Sequence, residues 1–351
     1  MSPFDLNLTH ITAPMVNQSD LPFRTLTFQH GATLAYTQML HPSKLLNDQD
    51  YLAFHRQDLS IRDRFGAEKT VVQLCGNDPE EIVRAARTVV DLCDGIDLNL
   101  GCPQEHARDG HYGAYLIGPS QKDWPLIESM VSTLSHSLHV PVSAKLRLCN
   151  PPSSTPELAL RTQNAGAAFV ALHARTVSAK RRRHGPADLD EVKRLKEDER
   201  ITIPVVSNGN VRTYEDIEKN LEYTGADGAM VGETVLENPY VFSNASLPDP
   251  LEISLEYIDL CRLYPDTATL TTIKTHIRHF YNNQCSRQSW YTKFRMTLNN
   301  DKEYGSLDEV ERFLRGRVER WRGRPHRGDS AEEEDEHKHE EVDFEGIPFG
   351  F

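Results

Sequence analysis

The 351-residue chain has no CxxC pair and no tight spacing among its six cysteines, Cys75, Cys93, Cys102, Cys149, Cys261 and Cys285. That excludes a zinc ribbon or a small disulfide scaffold and predicts free thiols in a reducing compartment, cytoplasmic or nuclear. No run approaches 18 consecutive apolar residues, so no membrane-spanning helix is expected. The start, MSPFDLNLTH, has neither a basic stretch nor an apolar run, so no secretory leader is expected. No G-x-G-x-x-G follows the first apolar run, which lowers the expectation of a dinucleotide-binding open sheet. Positive charge is also scarce, with a formal net charge of −13. Its distribution matters more than its sum. From Gly328 onward, GDSAEEEDEHKHEEVDFEGIPFGF holds ten acids against one base, Lys338. That segment carries about −9 and leaves roughly −4 on the rest, so a polyanionic partner is not excluded. Its apolar surface is too small to offset the entropy of ordering, and a disordered acidic tail over 328–351 is expected. No metal site is expected from His337 and His339.

What the chain does have is a recurring alternation. Strand-length apolar runs occur at LTHITAPMV (8–16), TLAYTQML (33–40), KTVVQLCG (69–76), GIDLNLGC (95–102), PVSAKLRL (141–148), FVALHART (169–176), IPVVSNGNV (203–211) and GAMVGETV (228–235). Helical patterns separate them. The clearest follows Gly76, where Asp78 can cap, Pro79 suits the first turn and Glu81 stands where a capping box places an acid. Ile82, Val83, Ala86, Val89, Val90 and Cys93 then share one face. Eight such units fit a (β/α)8 barrel of about 250 residues, with a doubly wound sheet as the alternative. From about Leu251 the alternation gives way to helix-like segments alone. The expected domains are a barrel over 1–247, an all-helical domain over 248–327 and the tail over 328–351.

Unusual polar residues fall where these strands end. They are Pro14-Met15, Gln73, Asn99 with Cys102, Lys145 with Arg147, His173 with Arg175, Asn208-Gly209-Asn210 and Gly232-Glu233. In a barrel such ends converge on the mouth where active sites are built. The loops after strands seven and eight can expose backbone N–H groups to an anion. Together these features suggest a phosphorylated planar cofactor with a cysteine nearby.

The segments APMVNQSDLPFR, VVQLCGNDPEE, DLNLGCPQEHARDGHYGAYL, SAKLRL, LHART and VVSNGNV resemble the tRNA-dihydrouridine synthases in order, spacing and identity. The resemblance runs from about Thr9 to Phe242, and GHYGAYL with Gly232-Glu233 is most similar to the eukaryotic branch acting at positions 16 and 17. It implies an enzyme that holds FMN at the barrel mouth, takes electrons from NADPH or NADH, and acts on tRNA. Pro14, Met15 and Val16 would touch the flavin. Gln73 and Lys145 would hydrogen-bond its ring edge, Lys145 also balancing negative charge. His173, Asn208, Gly209, Asn210, Gly232 and Glu233 would line the phosphate side, and Asn99 and Arg175 would position the uracil and RNA backbone. Many family members have Gly-Arg where this chain has Gly232-Glu233. An acid beside a phosphate is costly, so that contact is assigned to backbone N–H groups.

Reducing uridine requires hydride at carbon-6 and a proton at carbon-5. A thiol with a pKa of about 8.5 is still protonated near neutral pH. Cys102 is therefore expected to be the general acid. RFLRGRVERWRGRPHR (312–327) has seven Arg and one Glu, with Val310, Phe313, Leu314, Val318 and Trp321 as a core stripe. Arg312, Arg315 and Arg322 lie off that stripe and are expected to contact tRNA phosphates. KRRR (180–183) fits either RNA contact or nuclear import. A monomer is expected. Two other readings stay open: a small-molecule flavin oxidoreductase of the dihydroorotate dehydrogenase type, and a catalytically idle barrel.

Overall fold

The computed structural model describes residues 5–61, 68–177, 185–300 and 303–323. The acidic tail, KRRR and residues 324–327 lie outside the described residues. Contacts divide the chain into two compact units, the first ending at Ser286 and the second beginning at Arg287.

The first unit is a (β/α)8 barrel. Its strands are β1 (His10–Thr12), β2 (Leu34–Leu40), β3 (Thr70–Leu74), β4 (Gly95–Leu100), β5 (Val142–Arg147), β6 (Phe169–His173), β7 (Val205–Asn208) and β8 (Gly228–Val231). Each pairs in parallel with the next, and β1 also pairs with β8 through Ile11 opposite Met230, closing the sheet. An open doubly wound sheet is thereby excluded.

Period-two alternation sorts the strand residues between two cores. Leu74, Leu98, Leu100, Ala144, Leu146 and Leu172 belong to the large cluster shared with helix residues such as Ile82, Val83, Ala86 and Met130. Ile11, Tyr36, Val71, Phe169, Val206 and Met230 form the smaller cluster within the barrel. Strand residues alternating with the outer set include Gln73, Asp97, Asn99, Ser143, Lys145, Arg147 and His173. The polar site is therefore the upper continuation of the barrel's own interior.

Local chemistry starts and stops the helices. Asp78 accepts from the N–H groups of Glu80 (2.9 Å) and Glu81 (3.1 Å) ahead of helix Pro79–Arg87. That helix is shorter than its apolar pattern predicted, since Val90–Leu92 is a separate 3-10 turn. A reciprocal capping box forms instead at Thr213 and Asp216.

The compact first unit extends past the 247/248 division expected from sequence, because helices Pro250–Leu263 and Leu270–Cys285 pack within it. Asp20 is the junction. Its carboxylate accepts from the Phe23 N–H (3.1 Å), capping helix Leu21–Gln29, and from the Tyr257 hydroxyl (3.0 Å). It also meets His276 Nε2 at 2.8 Å, while the His276 ring stacks on Phe23 at 4.2 Å between centroids.

The second unit is helical among its described residues, with helices Tyr291–Leu298, Leu307–Phe313 and Glu319–Arg322. Phe294, Leu298, Val310, Phe313, Leu314 and Val318 are buried, and Phe294 stacks on Phe313 with rings 4° from parallel. Leu314–Val318 forms a π-helical turn.

Candidate active site

The barrel mouth gathers its side chains from successive strand ends. The β4–β5 register sets Asn99 opposite Lys145, and the β5–β6 register sets Arg147 opposite His173. His173 in turn stands opposite Asn208 on β7. These pairings place the β3–β8 candidates around one rim.

Cys102 follows the end of β4 and is half-buried; the other five cysteines are buried, and no disulfide forms. Its N–H donates to Asn99 Oδ1 at 2.9 Å, and its carbonyl accepts from Ala114 N–H at 3.1 Å. Sγ lies 3.8 Å from His106 Nε2. Gly113 makes this placement possible. It has φ of +63°, and a Cβ there would fall 2.9 Å from the Cys102 carbonyl oxygen. Burial pushes the Cys102 thiol above its ordinary pKa, against pulls from the Gln104 backbone, Arg147 and Lys145. The thiol is thus protonated at neutral pH.

Beneath Cys102 runs a buried polar chain. Gln73 donates Nε2–H to Asp97 Oδ2 (2.8 Å), and Asn99 donates Nδ2–H to Gln73 Oε1 (2.8 Å). Ser143 donates to Asp97 Oδ1 at 2.6 Å, with the Tyr36 hydroxyl 3.3 Å from Ser143 Oγ. Gln73 is therefore committed to Asp97 and Asn99, and Asn99 to Gln73 and the Gly101 and Cys102 N–H groups. Each retains one amide N–H for a ligand.

Lys145 is different. No hydrogen-bond or ion-pair partner takes its ammonium among the described residues, although burial, then Arg147, pull it down to about 8 against the pull of Asp97 and Cys102. The His173 ring likewise has no hydrogen-bond partner among the described residues. Burial, then Lys145, Arg147 and Arg175, hold it well below its ordinary pKa, so it is neutral. Arg147 is buried and donates Nε–H to the Gly101 carbonyl (2.8 Å) and Nη1–H to the Thr176 carbonyl (3.0 Å). It ties the β4 and β6 exits together. Arg175 is also buried, and its charge acts on Arg147 and His173.

On the β7–β8 side, the two asparagines hold the frame. Asn208 donates to the Met230 carbonyl at 2.7 Å, and Asn210 exchanges two 2.7 Å bonds with the Ala187 backbone. Gly209 has φ of +132°, and a Cβ there would lie 2.5 Å from the Ala187 Cβ. The backbone N–H groups of Gly209, Asn210 and Gly232 have no acceptor among the described residues. Glu233 is exposed at the start of a short helix, and its charge reaches Arg147. Pro14, Met15 and Val16 form a half-exposed wall after β1; Met15 N–H donates to Ser19 Oγ (2.9 Å), and Asn17 N–H to Gln38 Oε1 (2.8 Å). An unpartnered ammonium, a neutral imidazole, exposed N–H groups and an apolar wall fit an anionic, phosphorylated flat ring such as FMN.

Arg312, Arg315 and Arg322 belong to the second unit. Arg312 Nε bonds the Asp308 carbonyl (3.3 Å), Arg315 pairs with Glu311 (2.6 Å) and Arg322 with Glu319 (2.8 Å). Arg312 and Arg315 are exposed, but Arg322 is only half-exposed. The π turn shifts the helical phase beyond Val318, which the wheel drawn from sequence did not contain. No group of three or more His, Cys, Asp or Glu able to hold a metal occurs among the described residues, and none of their helices is long and apolar enough to cross a membrane.

Sequence reasoning gave no role to Asp97, Ser143, Arg147 or Gly113. The signal for the first three was present as alternation, Asp97-x-Asn99 and Ser143-x-Lys145-x-Arg147. Nothing local marked Gly113, since its neighbour is eleven residues away in sequence.

The fold and site define a closed (β/α)8 barrel whose mouth gathers a thiol, a buried ammonium and a neutral imidazole. Comparison with known proteins narrows the class. The dihydrouridine synthase (Dus) family matches residues 11–312. A Mus musculus protein named as tRNA-dihydrouridine(16/17) synthase, NAD(P)(+)-like, is 38% identical over 76% of this chain and 54% of its own length. A Saccharomyces cerevisiae tRNA-dihydrouridine(16/17) synthase is 36% identical over 76% of this chain and 64% of its own. A Homo sapiens protein of the tRNA-dihydrouridine(20a/20b) type is 31% identical over 72% and 76%. The chain spans 54% to 58% of the two rodent relatives it matches. A solved complex of 2-naphthoyl-CoA reductase shares the fold, with a TM-score of 0.53 and 12% identity over 66% of this chain and 48% of that one. The chain belongs to the dihydrouridine synthase family.

Proposed function

We propose that this chain reduces the C5–C6 double bond of uridines at positions 16 and 17 in the tRNA D-loop, with FMN as resident cofactor and NADPH or NADH as reductant. The observation that carries the reading is Cys102, a thiol kept protonated by burial on the same rim as the unpartnered Lys145 ammonium. Family membership supports the reaction class, and the names of the mouse and yeast relatives support the positions.

When bound, FMN supplies the hydride chemistry for carbon-6. Pro14, Met15 and Val16 form its apolar wall, and Lys145 holds a positive charge against its anionic edge. His173, Asn208 and the N–H groups of Gly209, Asn210 and Gly232 hold the phosphate side, with Gln73 offering its one remaining N–H. Cys102 Sγ–H gives carbon-5 its proton, and a raised pKa keeps that proton in place until the substrate arrives. Asn99 and Arg175 orient a uracil that has left its stack in the folded RNA. Arg312, Arg315 and Arg322 contact phosphates from the second unit.

The test is to incubate the purified protein with NADPH and unmodified tRNA and to locate dihydrouridine by mass spectrometry of nuclease fragments. The expected result is a yellow protein, bleached by NADPH, that adds two hydrogens at positions 16 and 17. Product at another position would overturn the assigned site. A colourless protein, or reduction of a free pyrimidine with no effect on tRNA, would overturn the reaction.

A further inference from the structure

Every hydrogen bond in the chain beneath Cys102 points toward one carboxylate. Asp97 is wholly buried and accepts from Ser143 on one oxygen and Gln73 on the other. Since Ser143 donates to Asp97, it can only accept from Tyr36, whose hydroxyl burial keeps protonated. On the other side, Gln73 spends its N–H on Asp97 and so presents Oε1 to Asn99. Asn99 must then turn its nitrogen down and its oxygen up. That oxygen is what the backbone N–H groups of Gly101 (3.1 Å) and Cys102 (2.9 Å) require.

An amide side chain has nearly the same shape in both orientations, so shape alone does not choose between them. The choice is made at the ends. Asp97 accepts only, and the backbone N–H groups of Gly101 and Cys102 donate only. We propose that Asp97 is the positioning residue for Cys102, an acceptor-only root that fixes both amide orientations and so anchors the cysteine's backbone. The inference deepens the uridine-reducing reading, where Cys102 must meet carbon-5. Its anchoring part stands without that reading.

Burial pushes Asp97 up to about 6, against its bonds from Ser143 and Gln73 and the nearby Lys145 charge, so it remains largely a carboxylate at neutral pH. It does not touch the reacting atoms. It acts through Gln73 and Asn99.

Asp97→Asn preserves volume but removes the acceptor-only root. With Gln73 reversed, Asn99 would turn its own NH2 toward the Gly101 and Cys102 N–H groups, leaving both orphaned. Adding Asn99→Asp moves the acceptor-only group to the top of the chain. The carboxylate introduced there would accept from both backbone N–H groups and from a reversed Gln73, whose Oε1 would accept from the amide at position 97. Asn99→Asp alone puts acceptors on both sides of Gln73 and strands its oxygen. The two single changes are therefore harmful for different reasons, and together they compensate.

The measurement is hydrogen–deuterium exchange of the peptide containing Gly101 and Cys102, in full-length protein without RNA or NADPH, beside the melting temperature of each variant. Asp97→Asn should speed exchange of these amides about tenfold, equivalent to about 1.4 kcal/mol of lost protection. The double variant should return to within about twofold of the wild type, and Asn99→Asp alone should melt below the double variant. Unchanged exchange in Asp97→Asn, or a double variant no better protected than Asp97→Asn, overturns the proposal. A single variant that fails to fold while the double variant folds supports it. A double variant that also fails to fold overturns it. Because no substrate is used, loss of the tRNA reading would leave this result intact, and the reverse also holds.

Discussion

Gly113→Ala is the sharpest perturbation of the cysteine loop, because the substituted residue is neither a catalytic nor a charged one. The left-handed φ of +63° costs an L-residue roughly 1–2 kcal/mol. The added methyl would also sit 2.9 Å from the Cys102 carbonyl oxygen, 3.1 Å from its Cβ and 3.2 Å from its N. Those neighbours are backbone and near-backbone atoms held by Asn99 and Ala114, so they cannot swing aside as a long side chain would. Overpacking of this kind adds about 1–3 kcal/mol. The combined loss is about 2–5 kcal/mol, which at about 2 °C per kcal/mol for a large domain lowers the melting temperature by roughly 4–10 °C. Relief comes by pushing Cys102 outward. Since a displacement near 1 Å can cost about 10²-fold, single-turnover reduction of tRNA should slow by roughly ten- to a hundredfold. NADPH-driven bleaching of the flavin, measured without RNA, should stay within about twofold. A variant that melts and turns over like the wild type would refute the close approach and the argument that rests on it.

Cys102→Ala should leave flavin binding and flavin reduction intact while lowering dihydrouridine formation by about 10²- to 10⁴-fold, read by single-turnover assay with prereduced protein. Lys145→Ala should weaken flavin retention or slow its reduction by NADPH in stopped-flow absorbance without RNA; no change in either would remove Lys145 from the cofactor edge. Neutralising Arg312, Arg315 and Arg322 together should weaken tRNA binding and flatten its salt dependence by somewhat under one log unit per lost phosphate contact, with flavin content unchanged. An unaltered slope would exclude that face. Asp20 carries a pH prediction. Burial works to raise its pKa, but the His276 charge and the bonds from His276, Tyr257 and Phe23 outweigh it and hold it low. A depressed carboxyl contributes stability above its unfolded pKa of about 3.9 and loses it as pH falls through the folded value. Asp20→Asn should therefore lower stability at pH 7 and flatten the acid limb below about pH 4, as followed by urea midpoints; an acid limb as steep as the wild type's would exclude the linkage.

The barrel was legible because its signal is local and repeated. Eight short apolar runs, each followed by a helical pattern, leave few architectures, and closure through Ile11 opposite Met230 completed one of them. The end of the first unit was not legible, because helical periodicity looks the same whether a helix docks on a barrel or stands in a domain of its own. What decides it is Asp20, an N-cap in sequence terms, which reaches Tyr257 and His276 more than 200 residues away. Arg322 lies beyond a π turn, a backbone event with no residue signature in LRGRV, so its partial burial was not legible either.

The site divides along the same line. Cys102, Lys145 and His173 could be named from sequence because each is a reactive type standing where an apolar run ends. Asp97 could not, although it lies only five residues from Cys102. As a lone acid within GIDLNL it invited no reading, and its meaning depends on Gln73 and Ser143, which adjacent strands deliver through register. One aspartate between leucines therefore carries two kinds of information. Its spacing shows that it points into the barrel. Only the fold shows that it is the sole buried acid in a chain of donors, and hence the group that decides which way two amides face. Reactive groups announce themselves by chemistry, whereas the groups that hold them are defined by their neighbours. The exchange of acid and amide between positions 97 and 99 separates these contributions because it keeps the composition of the site and alters only the direction of its hydrogen bonds.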